Sequence, residues 1–223
     1  MHMNGGFRMS GKLLLIGSGG HCRSVIDSLG ENWYETVAIL GTQGVEKDMP
    51  SEFPFIGSDE DAAALFKQGY THAVIAIGSV GNPAIRIRLY QKYKKIGFKF
   101  PVVIDPTAIV SRKTSVSEGT FIGKGAIVNT GVKIGACCII NTGAVIDHDC
   151  VIGDFVHVGP ASGLSGGARV CNNSHIGIGS SVIQSVTIGE NTVIGAGSAV
   201  VNDIPSDVIA VGIPCRPIKP NGG

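Results

Sequence analysis

The chain has 223 residues, with 18 Lys and Arg against 17 Asp and Glu, a formal net charge of +1. So even a balance gives no electrostatic ground to expect nucleic acid or an anionic membrane as partner, and no apolar run reaches the roughly 18 residues of a membrane span. A hydrophobic share of 43% argues against disorder, but 33 glycines, roughly twice ordinary usage, must then sit at regular structural positions.

The opening Met1-His2-Met3-Asn4-Gly5-Gly6 lacks the basic and apolar regions of a signal peptide, and it is set aside as a leader. Lys12-Leu13-Leu14-Leu15-Ile16 reads as a strand running into Gly17-Ser18-Gly19-Gly20-His21, and residues 22–29 then take helical spacing. A second strand is predicted over 36–40, a helix over 59–66, a third strand over 72–77, a helix over 83–96 and a closing strand over 100–104. Strands alternating with helices imply a small parallel α/β unit. Eleven of the thirteen Phe, Trp and Tyr precede residue 104, so the second half of the chain has a different kind of core.

From Ile104 to Val200, every sixth residue is Ile, Val or Leu, seventeen in unbroken register. Two residues before most of them stands a small side chain such as Ala126, Cys138, Ser162 or Ser180. Residues i and i−2 of a strand face the same side, so each hexad sends one branched and one small side chain inward. The residue after the aliphatic, often Gly or Asn, is expected to turn the corner in a left-handed conformation. Three hexads make one coil of a parallel β-helix, and nearly six coils stack with no loop inserted. The six cysteines (22, 137, 138, 150, 171, 215) show neither a CxxC pair nor zinc-ligand spacing, and several occupy small-residue positions. They read as reduced, packing thiols of a cytoplasmic protein.

The hexads resemble those of the left-handed β-helix acyltransferases. The Gly17-Ser18-Gly19-Gly20-His21 loop, then Ala76-Ile77-Gly78 with Arg86, then the hexads, are together similar to the PglD-like nucleotide-amino-sugar N-acetyltransferases of bacterial glycan pathways. Sialic-acid O-acetyltransferases are sisters of that family. The resemblance spans residues 12–218. It implies a Rossmann-like α/β nucleotide-sugar-binding domain over 11–103 and a left-handed β-helix acyltransferase domain over 104–218. It also implies a homotrimer, acetyl-CoA as co-substrate, a nucleotide-linked amino sugar as acceptor, and no metal. The rival readings are O-acetylation of a sugar such as sialic acid, a metal-dependent hydratase on the same coil, and a non-catalytic scaffold. His148, His157 and His175 show no spacing that converges on a metal.

Acetyl transfer from a thioester to an amine needs a base, an oxyanion donor and close positioning. His148 stands on a corner between Asp147 and Asp149, where in–out alternation lapses. The residues alone allow either a solvated polar corner or an imidazole fixed by the Asp149 carboxylate. The resemblance places the general base on His148, with Asp149 as its partner. Gly166, one coil after His148, reads either as a plain corner glycine or, by resemblance, as the backbone donor to the thioester oxygen. Asn141 is likewise either a corner residue or an acceptor contact. His157, just before an aliphatic, is expected to face outward with His175 stacked one coil on. The match of Asp154-Phe155-Val156-His157 to the family's Glu-Phe-Ser-His implies an acetyl or acceptor contact for His157, and His175 is left without a role. His72 precedes a buried strand and reads as structural.

The strand-to-helix loop at Gly17, Ser18, Gly19, Gly20 and His21 suits phosphate; by resemblance it holds the nucleotide diphosphate, with Gly78 and Arg86 in the same substrate site. After the second strand the family often has an Asp pair, whereas this chain has Leu40-Gly41-Thr42. Gly212-Ile213-Pro214-Cys215-Arg216 is similar to the family's Gly-x-Pro-Ala-Arg/Lys tail near the coenzyme A arm. That assigns Gly212, Pro214 and Arg216, beside Gly166, to coenzyme A, with Arg216 facing its phosphates.

Overall fold

The computed structural model describes residues 9–29, 34–41 and 52–222; the leader and Thr42 lie outside them. Two compact units form, one from residues up to Gly78 with Arg88–Pro101, the other from Ser79–Ile87 with Val102–Gly223.

In the first unit, β1 (Met9–Ile16) is followed by α1 (Gly20–Ser28), β2 (Tyr34–Leu40), β3 (Phe55–Gly57), a 3-10 turn (Asp59–Asp61), α2 (Ala62–Lys67) and β4 (Tyr70–Ile75). The sheet order is β3-β2-β1-β4, with every pair parallel. Central β1 is the continuous apolar run Leu13–Ile16 that a strand covered on both faces requires, and Leu13, Leu14 and Leu15 are completely buried. Strand β3 has no signature in the sequence, because its three residues are too few for a periodicity to show. Ser58 and Asp61 close a capping box that starts the following helical turn. Helix α3 (Ala84–Ile96) comes next in the chain.

The strand expected over 100–104 does not close this sheet. Lys99 makes only an isolated bridge to His72, and β5 (Val103–Ile104) pairs instead with Phe121–Ile122 as the first rung of the coil. Ile104 is in hexad register, and that register decides its partner.

The second unit is built from seventeen two-residue strands, β5 to β21 (Ala199–Val200), sorted onto three parallel sheets. From one coil to the next each strand pairs with the strand 18 residues on, as Ile139 does with His157 and His157 with His175. The inward aliphatics and small residues form one continuous core: Ile122, Ile140, Val158, Ile176 and Ile194 are all completely buried, as are Ala126 and Ala144. Each such Ile contributes roughly 1.5–3 kcal/mol by burial.

The inward Ser, Thr and Cys do more than fit. Ser162, Ser174 and Ser180 each donate to the carbonyl 15 residues on, at 2.8, 2.7 and 2.9 Å. The Cys138 and Cys150 thiols reach the corresponding carbonyls at 2.9 and 3.2 Å. Buried hydroxyls and thiols thus answer corner carbonyls that the strand ladders leave open.

The corner differs from its expected form. The left-handed residue stands three positions after the aliphatic, not one, as at Gly125 (φ 63°), Gly131 (φ 74°), Asp149 (φ 59°) and Ala161 (φ 52°). Glycines directly after the aliphatic serve close approach instead: a β-carbon at Gly177 would lie 2.6 Å from the Ala196 nitrogen of the next coil. Beyond the last coil, β22 (Val208–Val211) continues one sheet in parallel, and β23 (Arg216–Pro220) folds back antiparallel on it.

Candidate active site

The corner after Val145–Ile146 carries Asp147, His148 and Asp149. Asp147 accepts from the His148 backbone N–H at 2.7 Å and from Asn129 Nδ2, one coil above, at 2.9 Å. The His148 N–H beside it holds the Asp147 carboxyl below its ordinary pKa. His148 Nδ1 lies 3.0 Å from Asp149 Oδ2. An ionised carboxylate only accepts, so the ring proton sits on Nδ1 and Nε2 presents its lone pair. The hydrogen bond to Asp149, and after it the Asp147 charge, raise the imidazole pKa. The His148 side chain remains 55% exposed.

Below the ring lies Gly166. A β-carbon there would come within 2.5 Å of His148 Nε2 and 2.6 Å of Cε1, so the imidazole rests directly on the Gly166 α-carbon. The backbone N–H at the same corner position is answered by an Asn or Asp side chain at Thr130, Thr142 and His148. Ser165 stands where those residues have Asn or Asp, and the Gly166 N–H takes no acceptor among the described residues. His148, Asp149 and Gly166 are therefore brought together as expected, with a lone pair and an unanswered backbone donor side by side.

His157 departs from expectation. It is only 8% exposed, because residues 79–83 lie along its column, with Gly81 packed on Val193. Nδ1 faces the Ser79 carbonyl and must donate to it, so Nε2 is the acceptor, 3.1 Å from Asn141 Nδ2. The Asn141 amide is oriented by its other end, where Oδ1 accepts from the Thr142 N–H at 2.8 Å. Burial lowers the His157 pKa. His175 stacks beneath it with ring centroids 4.8 Å apart, equally buried, with Nδ1 unpartnered. Burial pushes its pKa down to about 4, so both rings are neutral at pH 7. No pattern in the sequence pointed to Ser79, because its role comes from where the fold lays its carbonyl.

Arg86 is a correction. It is 1% exposed and donates through Nη2 to the Cys137 carbonyl at 2.8 Å, so its guanidinium is held against the coil and is not presented at an open substrate site.

The α1 loop forms within the first unit. Gly17 (φ 113°) packs so closely on Ile77 and the Ala76 carbonyl that a β-carbon would not fit, and Gly78 faces the His21 side chain. Gly19 is the N-cap of α1, and its carbonyl accepts from the Cys22 and Arg23 N–H groups at 3.0 and 3.4 Å. Gly41 leaves room for the Ser18 hydroxyl, which a β-carbon would meet at 2.6 Å. At the other end of the chain, Gly212 (φ 103°) and Pro214 make the turn between β22 and β23, and Arg216 is exposed beyond it.

The family model of the PglD N-terminal domain matches residues 12–93. The crystal structure of PerB from Caulobacter crescentus in complex with CoA and GDP-perosamine is 38% identical, covering 94% of this chain and 98% of that one, with a TM-score of 0.85. The chain belongs to the PglD-like sugar N-acetyltransferase family. Its coils are accordingly a left-handed parallel β-helix, set after a Rossmann-like α/β unit. A second PglD-like structure, the acetyltransferase domain of PglB from Neisseria gonorrhoeae FA1090 in complex with acetyl coenzyme A, is 33% identical over 94% of this chain and all of that one, TM-score 0.85. WeeI from Acinetobacter baumannii AYE, 21% identical over 93% of this chain and 100% of that one with a TM-score of 0.75, shares the fold. No curated protein sequence matches the chain. Among the described residues no helix is long and apolar enough to cross a membrane, and no cluster of His, Cys, Asp or Glu could hold a metal ion.

Proposed function

We propose that this chain is an acetyl-CoA-dependent N-acetyltransferase acting on the amino group of a nucleotide-linked amino sugar in bacterial glycan biosynthesis. One observation carries the reading: the His148 lone pair, held by Asp149, lies directly over Gly166 with its unanswered N–H. The kinship with enzymes solved with CoA and GDP-perosamine, or with acetyl coenzyme A, supports both substrates.

In this mechanism His148 Nε2 removes a proton from the sugar amine as its nitrogen bonds to the acetyl carbon. The carbonyl oxygen becomes an oxyanion, and the Gly166 N–H donates to it. The carbon–sulfur bond then breaks, and the departing thiolate takes the proton from the imidazolium. Asp149 holds the ring tautomer and stabilises its protonated form. Transfer is direct. Cys137 and Cys138 are buried with thiol pKa values pushed up to about 12 by desolvation, which makes them poor nucleophiles.

The strand-to-helix loop at Gly17, Ser18, Gly19, Gly20 and His21, with Gly78, is the proposed seat of the nucleotide diphosphate, at the N-terminal end of α1. Asn141 is the proposed acceptor contact. Gly212, Pro214 and Arg216 are proposed to meet the coenzyme A arm. The exposed column Ile109, Ile127 and Val145, stacked on successive coils, supports a homotrimer that would cover it. Six free cysteines are consistent with a cytoplasmic setting.

The test is turnover of acetyl-CoA with GDP-perosamine as the trial acceptor. His148→Ala should lose nearly all turnover while keeping the parent's melting midpoint. A folded His148→Ala protein with full activity overturns the assignment.

A further inference from the structure

Asp149 is exposed over 72% of its side chain, yet its carboxylate is aimed at one ring nitrogen. Backbone bonding fixes where the residue stands, since the Asp149 N–H donates to the Thr130 carbonyl of the coil above at 3.0 Å. It does not fix where the side chain points. The side chain lies against Gly131, directly above it, 18 residues earlier in the chain. A β-carbon at Gly131 would overlap Asp149 Oδ1 and come within 3.3 Å of Cγ.

The conformation at Gly131 does not itself demand glycine. Cys137, Ala161 and Asn173 occupy the same left-handed corner at φ 54°, 52° and 62°. At the corner glycines Gly125, Gly143, Gly179 and Gly197 a β-carbon would meet nothing within 4 Å, and at Gly167 only Ser185 Oγ in ordinary contact at 3.5 Å. At Gly131 the neighbour is the free end of a flexible carboxylate. A side chain added there displaces that carboxylate at little cost to the fold, and the loss falls on the pairing with His148.

We infer that Gly131 is a positioning residue: the space left by its missing β-carbon is the seat that turns the Asp149 carboxylate toward His148. The dyad is thus held between two glycines, Gly131 over the carboxylate and Gly166 under the ring. The inference rests on the reading of His148 as the base. The charges acting on the imidazole are Asp149 and Asp147, and the corners above (129–131) and below (165–167) carry no ionisable side chain.

The test compares Gly131→Ala with Gly125→Ala in the full-length protein. Gly125 has nearly the same backbone (φ 63° against 74°) but an empty surround, so it reports the strain of a left-handed alanine alone. The first readout is the titration of His148 by NMR with histidine labelled at Cε1, assigned from a His148→Gln spectrum. The expected result is a His148 pKa that falls toward the ordinary imidazole value of about 6.5 in Gly131→Ala and stays raised in Gly125→Ala. The second readout is the rate. In Gly131→Ala the acid limb of the kcat profile should move to lower pH and kcat fall about tenfold, with KM for acetyl-CoA unchanged.

In the Asp149→Asn background, Gly131→Ala should cost no further rate, because both changes remove one interaction. Should the alanine variant not fold, Gly131→Asn carries the same β-carbon on a residue that accepts left-handed angles. A His148 titration identical in the Gly131 variant and the parent overturns the inference. A titration that moves while the rate does not follow upholds the seat and overturns His148 as the base.

Discussion

Gly166→Ala separates the two duties of that residue. The Gly166 backbone is not left-handed, so alanine brings no conformational strain. Its β-carbon would fall 2.5 Å from His148 Nε2, where 3.4 Å is the near edge of ordinary contact, so the ring must yield by about 0.9 Å. The imidazole is half exposed and has room to move, so the melting midpoint should stay within about 3 °C of the parent. The backbone N–H that would meet the oxyanion is retained. The loss therefore falls on base geometry, and a misplacement near 1 Å costs on the order of 10²-fold in rate. Release of free coenzyme A thiol from acetyl-CoA in the presence of GDP-perosamine measures it, with kcat expected to fall about a hundredfold. Gly167→Ala is the neighbouring comparison: its β-carbon would meet only Ser185 Oγ, at 3.5 Å, and its left-handed backbone (φ 69°) sets the strain it adds apart from the ring contact at Gly166. Parental kcat in a folded Gly166→Ala protein would refute the placement of the working lone pair over Gly166.

Asp149→Asn keeps an acceptor beside His148 but removes the charge that raises the ring's pKa, so the acid limb of the rate profile should shift to lower pH while the plateau drops tenfold or more; an unmoved limb counts against the dyad. The buried histidines give a stability test. His175 refuses a proton in the folded state until about pH 4, whereas the unfolded chain accepts one near pH 6.5. Its contribution is therefore fully present above about pH 6.5 and is lost as pH falls toward 4, up to about 3 kcal/mol. Denaturant unfolding across that range should show the decline, and His175→Asn should flatten it; equal slopes in both proteins would contradict neutral burial.

Much of the second unit was legible in the sequence because a coil repeats one local problem. A side chain every sixth residue must be apolar, the one two places before it must be small, and 18 residues later the same position recurs. That arithmetic by itself paired Ile140 with Val158, stacked His175 under His157 and put Gly166 beneath His148. It misassigned the corner, because a glycine needed for a left-handed backbone and one needed for close approach look alike in sequence. Gly125 and Gly177 are the two kinds, told apart by a dihedral and by a neighbouring nitrogen.

The sequence by itself determined the hexad register, the coil and the candidate triad of His148, Asp149 and Gly166, since all three come from periodicity and local resemblance. Only the tertiary structure decided the rest. It buried His157 by laying the Ser79 carbonyl on its Nδ1, withdrew Arg86 from the substrate to the Cys137 carbonyl, and set Asp149 against Gly131. A side chain's role depends on which atoms surround it. Those atoms come from distant parts of the chain, as Ser79 does for His157, and no local pattern encodes their approach.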